Sequence, residues 1–427
     1  MKKKILSLAL AAMLSLPALA SCSQSTSSEL PLSPALNCIA EQSAMAKSAL
    51  KGNAISFSAE DFARATNLSS IESVTITTPP ATTDGELRVG SSVLTGGQTL
   101  SAASISLMTY HATSDISSSE FRFKVNGSPV EMCCKLYILS EQNYAPTLSL
   151  APKTALEVST YQNVTLHGTL PCYDPDGDTT YIEIVSYPEK GLLVLDDKQT
   201  GSYRYIPSAD SRGSDSFTYV AVDKYGNYSA SAKVSLDIIK PSTPVSYVDL
   251  QDSPYHNAAL TMTEKGIMSG TQVGASTHFY PESTLTRAEF TVMAMNAAGI
   301  TSVNPSATTV FADDADIPSN MKSYIAAAYD MGYIKGSEID GKLCFLPSKE
   351  ITRAEAAVML ANMLDAAAPT VTPVFNDSAD IPTWAEASVY SLCFMGVLEA
   401  ENGSICATNA MTRGYAAEIL ANFIEVK

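Results

Sequence analysis

Histidine is scarce in this chain, four in 427 residues, and tryptophan is scarcer still, present only as Trp384. His111, His167, His256 and His278 are scattered over three prospective domains, and none lies in an HExxH string. GxSxG, Walker A and GxGxxG strings are missing too, and cysteine–histidine pairing has no local signature. No enzyme is therefore expected, and each histidine reads as a surface or strand residue. Basic residues are also few: 27 Lys and Arg face 44 Asp and Glu, a formal charge of −17. That balance disfavours nucleic acid as a partner, and an acidic glycan would have to be held by local arginines rather than by the global field. Beyond Cys22 the cysteines stand at 38, 133, 134, 172, 344, 393 and 406, an odd and irregular set that argues against a disulfide framework. Cys133 and Cys134 would face opposite sides of a strand, so a shared metal is not expected and most cysteines read as small core residues.

A long apolar run occurs only at the start. Met1-Lys2-Lys3-Lys4 and ILSLALAAMLSLPALA form the basic and apolar parts of an export signal, too short to remain as a spanning helix. Two cleavage readings compete. Ala18-Leu19-Ala20 suits ordinary signal peptidase, whereas Leu19-Ala20-Ser21-Cys22 resembles a lipobox that would leave Cys22 lipidated. Residues 1–21 are assigned as signal peptide and 22–51 as a tether; any membrane attachment would run through the Cys22 lipid alone.

Beyond the tether the composition is that of folded material, since the chain is 45% hydrophobic and 17% charged. Residues 52–143 and 146–240 carry short runs rich in Val, Ile, Thr, Tyr and Phe between turn residues, which predicts two all-β sandwiches. Segments echo between them: PPATTDGELRV at 79–89 against PEKGLLVL at 188–195, and Ser119–Phe123 against Asp215–Tyr219. Asn143–Pro146 and the hinge Lys240–Pro244 read as linkers. The second sandwich resembles bacterial Ig-like or cadherin-like surface repeats through Asp174-Pro175-Asp176-Gly177-Asp178, Gly201–Pro207 and Val222–Asn227. Asp174, Asp176 and Asp178 are candidate calcium ligands. They lack EF-hand order, so a tight turn is the preferred reading and no cofactor is expected.

The last part is a threefold repeat of LTRAEF at 285–290, ITRAEA at 351–356 and MTRGYA at 411–416. Asp249, Asp313 and Asp377 open the units, and Gly266, Gly332 and Gly396 come after an apolar stretch in each, so every unit reads as helix, loop, helix. Thr286 with Glu289 and Thr352 with Glu355 form capping boxes, while Thr412 keeps only the cap. Helical spacing then predicts one buried stripe per unit: Phe290, Met293, Ala294, Ala297; Ala356, Met359, Leu360, Met363; Ala416, Ile419, Leu420, Phe423. Arg287, Arg353 and Arg413 oppose the helix dipole, which suggests that they hold an anion together with free N–H groups of the helix start.

These features resemble the S-layer homology (SLH) domain over roughly residues 245–427, as repeats at 245–300, 308–366 and 372–427. The resemblance implies a pseudo-threefold helical module holding an exported protein to cell-wall polysaccharide, a glycan that often carries pyruvate ketals. Arg287 and Arg353 would grip its carboxylate. Arg413 would form an incomplete third site, because Gly414-Tyr415 replaces Ala-Glu and Ala400 replaces a glycine. Trp384 would be a sugar-stacking or core residue, with core favoured. The expected function is a non-enzymatic cell-surface protein anchored to the wall and displaying Ig-like domains to a partner the sequence does not name. The alternative is an adhesin, calcium-dependent module or wall-active enzyme whose activity lies in the β-domains.

Overall fold

The structure, a computed structural model, describes residues 45–113, 115–148, 156–303, 305, 308–369, 373–401 and 403–427. The expected signal peptide, the Cys22 lipidation site and Cys38 lie outside the described residues. The chain divides into two compact units, the second running from Glu141 to Lys427.

In the first unit the order is β1 (Met45–Leu50), β2 (Ile55–Ser56), α1 (Ala59–Thr66), β3 (Ser73–Thr78), β4 (Gly85–Val89), β5 (Ser92–Val93), β6 (Gln98–Ser101), α2 (Ala102–Ile105), β7 (Met108–Ala112), β8 (Ser118–Val125) and β9 (Met132–Leu139). The strands form two sheets, β1-β9-β8-β3-β6 and β2-β7-β4-β5. Phe121, Phe123 and Val125 alternate inward along β8, and Phe62 of α1 meets the Phe123 ring edge-on at 5.0 Å. Burying side chains of this size contributes about 1.5–3 kcal/mol each. Cys134 is fully buried and Cys133 nearly so; burial raises both thiols, which makes them inert core groups.

The tether expected over 22–51 stops earlier. Met45–Leu50 is a strand, paired parallel to β9 from Met45 against Cys134 to Leu50 against Leu139. It holds no β-branched or aromatic residue, so composition does not mark it as a strand, and Lys47 fixes it to α1 through Asp61 at 3.0 Å.

The second unit begins as another sandwich, with β10 (Leu156–Tyr161), β11 (Leu166–Thr169), β12 (Thr180–Ser186), β13 (Gly191–Leu195), β14 (Ser202–Pro207), β15 (Gly213–Asp223) and β16 (Ala232–Ile239). The sheets are β10-β16-β15-β12 and β11-β14-β13, over a core of Tyr203, Tyr205, Phe217 and Tyr219. The echoed segments carry a shared device: a Cβ on Gly85 would lie 2.6 Å from the Tyr110 ring, and one on Gly191 2.5 Å from the Tyr205 ring. Glycine is required there so that an aromatic ring can cross the strand.

The rest of this unit is helical: α3 (His256–Glu264), a hairpin of β17 (Thr271–Val273) and β18 (Ser276–His278), and α4 (Arg287–Ala297); then α5 (Lys322–Asp330), a hairpin of β19 (Ser337–Ile339) and β20 (Lys342–Cys344), and α6 (Arg353–Met363); then α7 (Glu386–Phe394) and α8 (Arg413–Val426). The loop expected inside each repeat is thus a β-hairpin in the first two; in the third the described residues show one bridge there, Glu401 with Ser404. Gly266, Gly332 and Gly396 end the first helices at φ of 67°, 77° and 74°. The second helix of each repeat packs on the first helix of the next: α4 on α5, α6 on α7, and α8 back on α3.

The hinge expected at Lys240–Pro244 is not free. Glu264 of α3 accepts from Ser242 N and Thr243 N at 3.1 and 2.6 Å, and also from the Ser242 hydroxyl. Asn257 accepts from the Thr160 hydroxyl at 2.9 Å and Tyr161 N at 3.1 Å, and donates to Thr165 O at 3.2 Å. Val164 of the sandwich belongs to the helical core. These polar anchors cannot be read from the linker's own composition.

Candidate functional site

Each repeat begins by folding its aspartate back onto its own hairpin exit. Asp249 accepts from Phe279 N and Tyr280 N at 2.9 and 2.7 Å, Asp313 from Phe345 N and Leu346 N at 2.8 and 2.7 Å, and Asp377 from Ile405 N and Cys406 N at 2.9 and 2.7 Å. Burial opposes the charge on Asp249, but the two amide donors outweigh it and hold the carboxyl below its ordinary range. The second residue of each pair is left-handed, with φ of 58° at Tyr280, 62° at Leu346 and 54° at Cys406.

The carbonyl of the first residue in each pair is taken by an arginine of the neighbouring repeat. Arg287 Nε donates to Phe345 O at 3.0 Å, Arg353 Nη1 to Ile405 O at 3.2 Å, and Arg413 Nε to Phe279 O at 2.9 Å. The relation is cyclic: first to second, second to third, third to first. The helix starts are closed in the same sense. Arg287 N and Ala288 N donate to Lys349 O and Pro347 O, Arg353 N and Ala354 N to Asn409 O and Ala407 O, and Arg413 N and Gly414 N to Ser283 O and Pro281 O. The free N–H groups expected to receive an anion are therefore occupied, because docking one repeat on the next supplies their acceptors first. At the centre Leu285 N donates to Met411 O (2.9 Å), Met411 N to Ile351 O (2.8 Å) and Ile351 N to Leu285 O (3.0 Å), a closed triangle.

Thr286 with Glu289, and Thr352 with Glu355, form reciprocal capping boxes; Thr412 accepts from Tyr415 N without a glutamate in return. Gly414 has a packing reason, since a Cβ there would lie 2.4 Å from the Tyr255 ring of the first repeat.

The three junctions differ in what faces the guanidinium. Arg287, 8% exposed, lies over the Phe345 ring at 5.3 Å and 3.4 Å from Glu355 Oε1, which Lys349 also holds at 2.9 Å. Arg353, 9% exposed, stacks on the Tyr415 ring at 3.7 Å and pairs with Glu401 at 3.1 Å. Among the described residues its Nε and the Tyr415 hydroxyl have no hydrogen-bond partner. Burial first, then Glu399 and Glu401, push Glu418 beside this pair up to about 7. Arg413 is half-buried, lies over Phe279 at 4.8 Å and spends Nη2 on Ser269 O at 2.8 Å.

Trp384, favoured as core, is 62% exposed just ahead of α7. A lone aromatic has no periodicity from which its face can be read. The Asp174, Asp176 and Asp178 carboxylates come within 4.8 Å of one another. Asp174 is 6% exposed; its Oδ1 accepts from Asp176 N and Asp178 N, while Oδ2 is buried with no hydrogen-bond partner among the described residues. Asn143 donates to Asp176 and Asp178, and Lys224 lies 2.7 Å from Asp178. The sequence reading singles out neither Glu401 nor Tyr280, takes His278 as a surface or strand residue and takes Tyr415 only as the replacement of a glutamate, although Tyr280 adjoins the Phe279 carbonyl that the repeat register locates.

Residues 143–237 match the model for the bacterial Ig domain, and residues 246–291 and 310–357 match the model for the S-layer homology domain. The chain carries a bacterial Ig domain followed by S-layer homology repeats. The third helical repeat lies outside those matches and shares their geometry. Among curated proteins, the chain is similar to a surface-layer 125 kDa protein of Lysinibacillus sphaericus, at 31% identity over 28% of this chain and 10% of that protein. It is also similar to the exoglucanase XynX of Acetivibrio thermocellus, at 28% identity over 47% of this chain and 18% of that one. The chain thus spans under a fifth of the length of either. Solved structures matched include fibronectin(III)-like modules of CbhA from Clostridium thermocellum, with 14% identity, TM-score 0.22, 46% of this chain and 90% of that one. Drosophila N-cadherin EC1-3 matches with 15% identity, TM-score 0.21, 30% of this chain and 46% of that one. Among the described residues no helix is long and apolar enough to cross a membrane.

Proposed function

We propose that this is a non-enzymatic, exported surface protein held non-covalently to acidic cell-wall polysaccharide by its S-layer homology repeats, with the sandwich domains presented from that anchor. The supporting observation is the pair of S-layer homology matches, lying on a ring in which each repeat passes an arginine to the next. The wall polysaccharide would engage one or more of the junctions at Arg287, Arg353 and Arg413, with exposed Trp384 as a further sugar-stacking surface. The full chain is expected to sediment with purified walls and to stay in solution when the walls have been stripped of polysaccharide. Equal sedimentation with stripped walls would sink this reading.

A calcium reading of the Asp174 cluster is favoured by one specific observation, the buried Asp174 Oδ2, which has no hydrogen-bond partner among the described residues. Asp174, Asp176 and Asp178 supply hard oxygens suited to calcium, and Asn143 and Lys224 would yield their places to the ion. Millimolar calcium is then expected to raise the sandwich's melting temperature, by RT ln(1 + [L]/Kd) in free energy, with no rise in Asp176→Ala. An equal rise in that variant would remove the site.

A further inference from the structure

We propose that the joint between the Ig domain and the first repeat is a pH-operated latch, shut while His167 and His256 are neutral and opened when they take up protons. The latch is independent of wall binding. From the ring side α3 supplies Asn257, bonded to the Thr160 hydroxyl, Tyr161 N and Thr165 O, and Glu264, which holds Ser242 N and Thr243 N. From the sandwich side Val164 enters the helical core. Two of the chain's four histidines flank these contacts. His256 is the first residue of α3, directly before Asn257, and His167 lies on β11, two residues beyond Thr165.

Each ring sits where a proton is unwelcome. His167 pairs across the strands with Arg204 of β14, whose guanidinium holds Asp196 at 2.7 Å. The His167 Nε2 is buried, with no hydrogen-bond partner among the described residues. A charge there would be desolvated and set beside a cation, while Asp196 is already engaged by that cation. His256 is half-buried in the first turn of α3, where a positive charge opposes the helix dipole, and its ring bonds the Leu250 carbonyl. Asp252, in a left-handed turn at φ 60°, draws protons toward both rings. Burial outweighs it and holds both histidines below their ordinary range.

A histidine that is harder to protonate in the closed joint than in the open one favours closure above its ordinary value of about 6.5. Below that, the open joint binds protons first and the latch loosens. The other charges of the joint stay fixed over this range. Hydrogen bonds from Ser242 and Thr243 bring Glu264 down to about 2, and Arg204 keeps Asp196 low. On the other side of α3, where α8 packs, Glu401, Glu418, Arg353 and Glu282 face Tyr255. Burial raises Glu418 to about 7, so its effect has the opposite sign: taking up a proton as the pH falls removes a buried charge and firms the ring. Acid therefore loosens one face of α3 and tightens the other.

Amide hydrogen exchange of the full chain at pH 7.5 and pH 5.5, corrected for intrinsic rates, tests the latch. Protection of the Tyr161, Ser242 and Thr243 amides is expected to fall by about tenfold or more on acidification, since each linked proton can shift the opening equilibrium by up to about tenfold per pH unit. The Leu285, Ile351 and Met411 amides of the closed triangle are expected to hold or gain protection over the same change. In a His167→Gln, His256→Gln double variant, with both rings replaced by neutral amides, the joint should keep its pH 7.5 protection at pH 5.5. Parallel loss at the joint and the triangle would mean general acid unfolding and would overturn the latch. Equal joint protection at both pH values in the wild-type chain, or an undiminished acid response in the folded double variant, would overturn it as well. Should the double variant fail to fold, the wild-type contrast between joint and triangle still decides.

Discussion

Ending the chain at residue 369, which deletes the third repeat, is expected to unfold the first two repeats with it. In a linear array of repeats, loss of the terminal unit costs only that unit and one interface. Here the array is closed. Met411 accepts from Leu285 and donates to Ile351, Arg353 N and Ala354 N find their acceptors at Asn409 and Ala407, and α3 of the first repeat packs on α8. Truncation would uncover both partners of α8, whose buried face holds Tyr415, Ile419, Leu420 and Phe423. Four such side chains at about 1.5–3 kcal/mol each approach the whole stability of an ordinary domain, about 5–15 kcal/mol. Calorimetry should show no helical transition for the truncated chain, while the sandwich β signal in circular dichroism persists. A cooperative helical transition near the full-length midpoint would mean that the repeats are independent, and the closed triangle would be incidental.

Asp313→Ala is expected to destabilise the second unit by about 2–6 kcal/mol, because two backbone donors, Phe345 N and Leu346 N, lose their acceptor at about 1–3 kcal/mol each. Asp313→Asn keeps one acceptor oxygen, so about half that loss should remain. Freeing the Phe345–Leu346 turn also loosens the carbonyl that anchors Arg287, so the effect should spread to the first repeat. Urea unfolding of the full chain measures the loss, and amide exchange at Phe345 and Leu346 should accelerate most. A change below about 0.5 kcal/mol, the range of ordinary surface substitutions, would show that the aspartate's bonds are replaced by water at no cost.

The features legible in the sequence are those with short reach. Capping boxes span three residues, the helix-ending glycines sit at a helix terminus, and the apolar stripe repeats at helical spacing, so each arises from local geometry. The destination of the arginines was not legible. The bonds of Arg287, Arg353 and Arg413 reach carbonyls 58, 52 and 134 residues away, and their acceptors are backbone groups that carry no side-chain signature. Arg413 looked the poorest site because its glutamate is missing, yet Tyr415 in that place serves Arg353, not Arg413. A residue of the helix start faces the previous repeat's arginine, so a motif read along one repeat mixes parts of two junctions. Met45–Leu50 escaped for the opposite reason, because parallel pairing with β9 specifies a strand that holds no β-branched or aromatic residue to announce it.

The bonds from Asn257 and Glu264 bear on mechanics. A cell-surface domain on a five-residue string would swivel, and tension on it would straighten the string before reaching the anchor. With Lys240–Pro244 pinned to α3 and Val164 sunk in the helical core, the Ig domain is a lever arm. A pull on it is delivered straight to the first repeat, whose helix α3 is also one edge of the ring's closing seam with α8. Load and closure therefore share one helix.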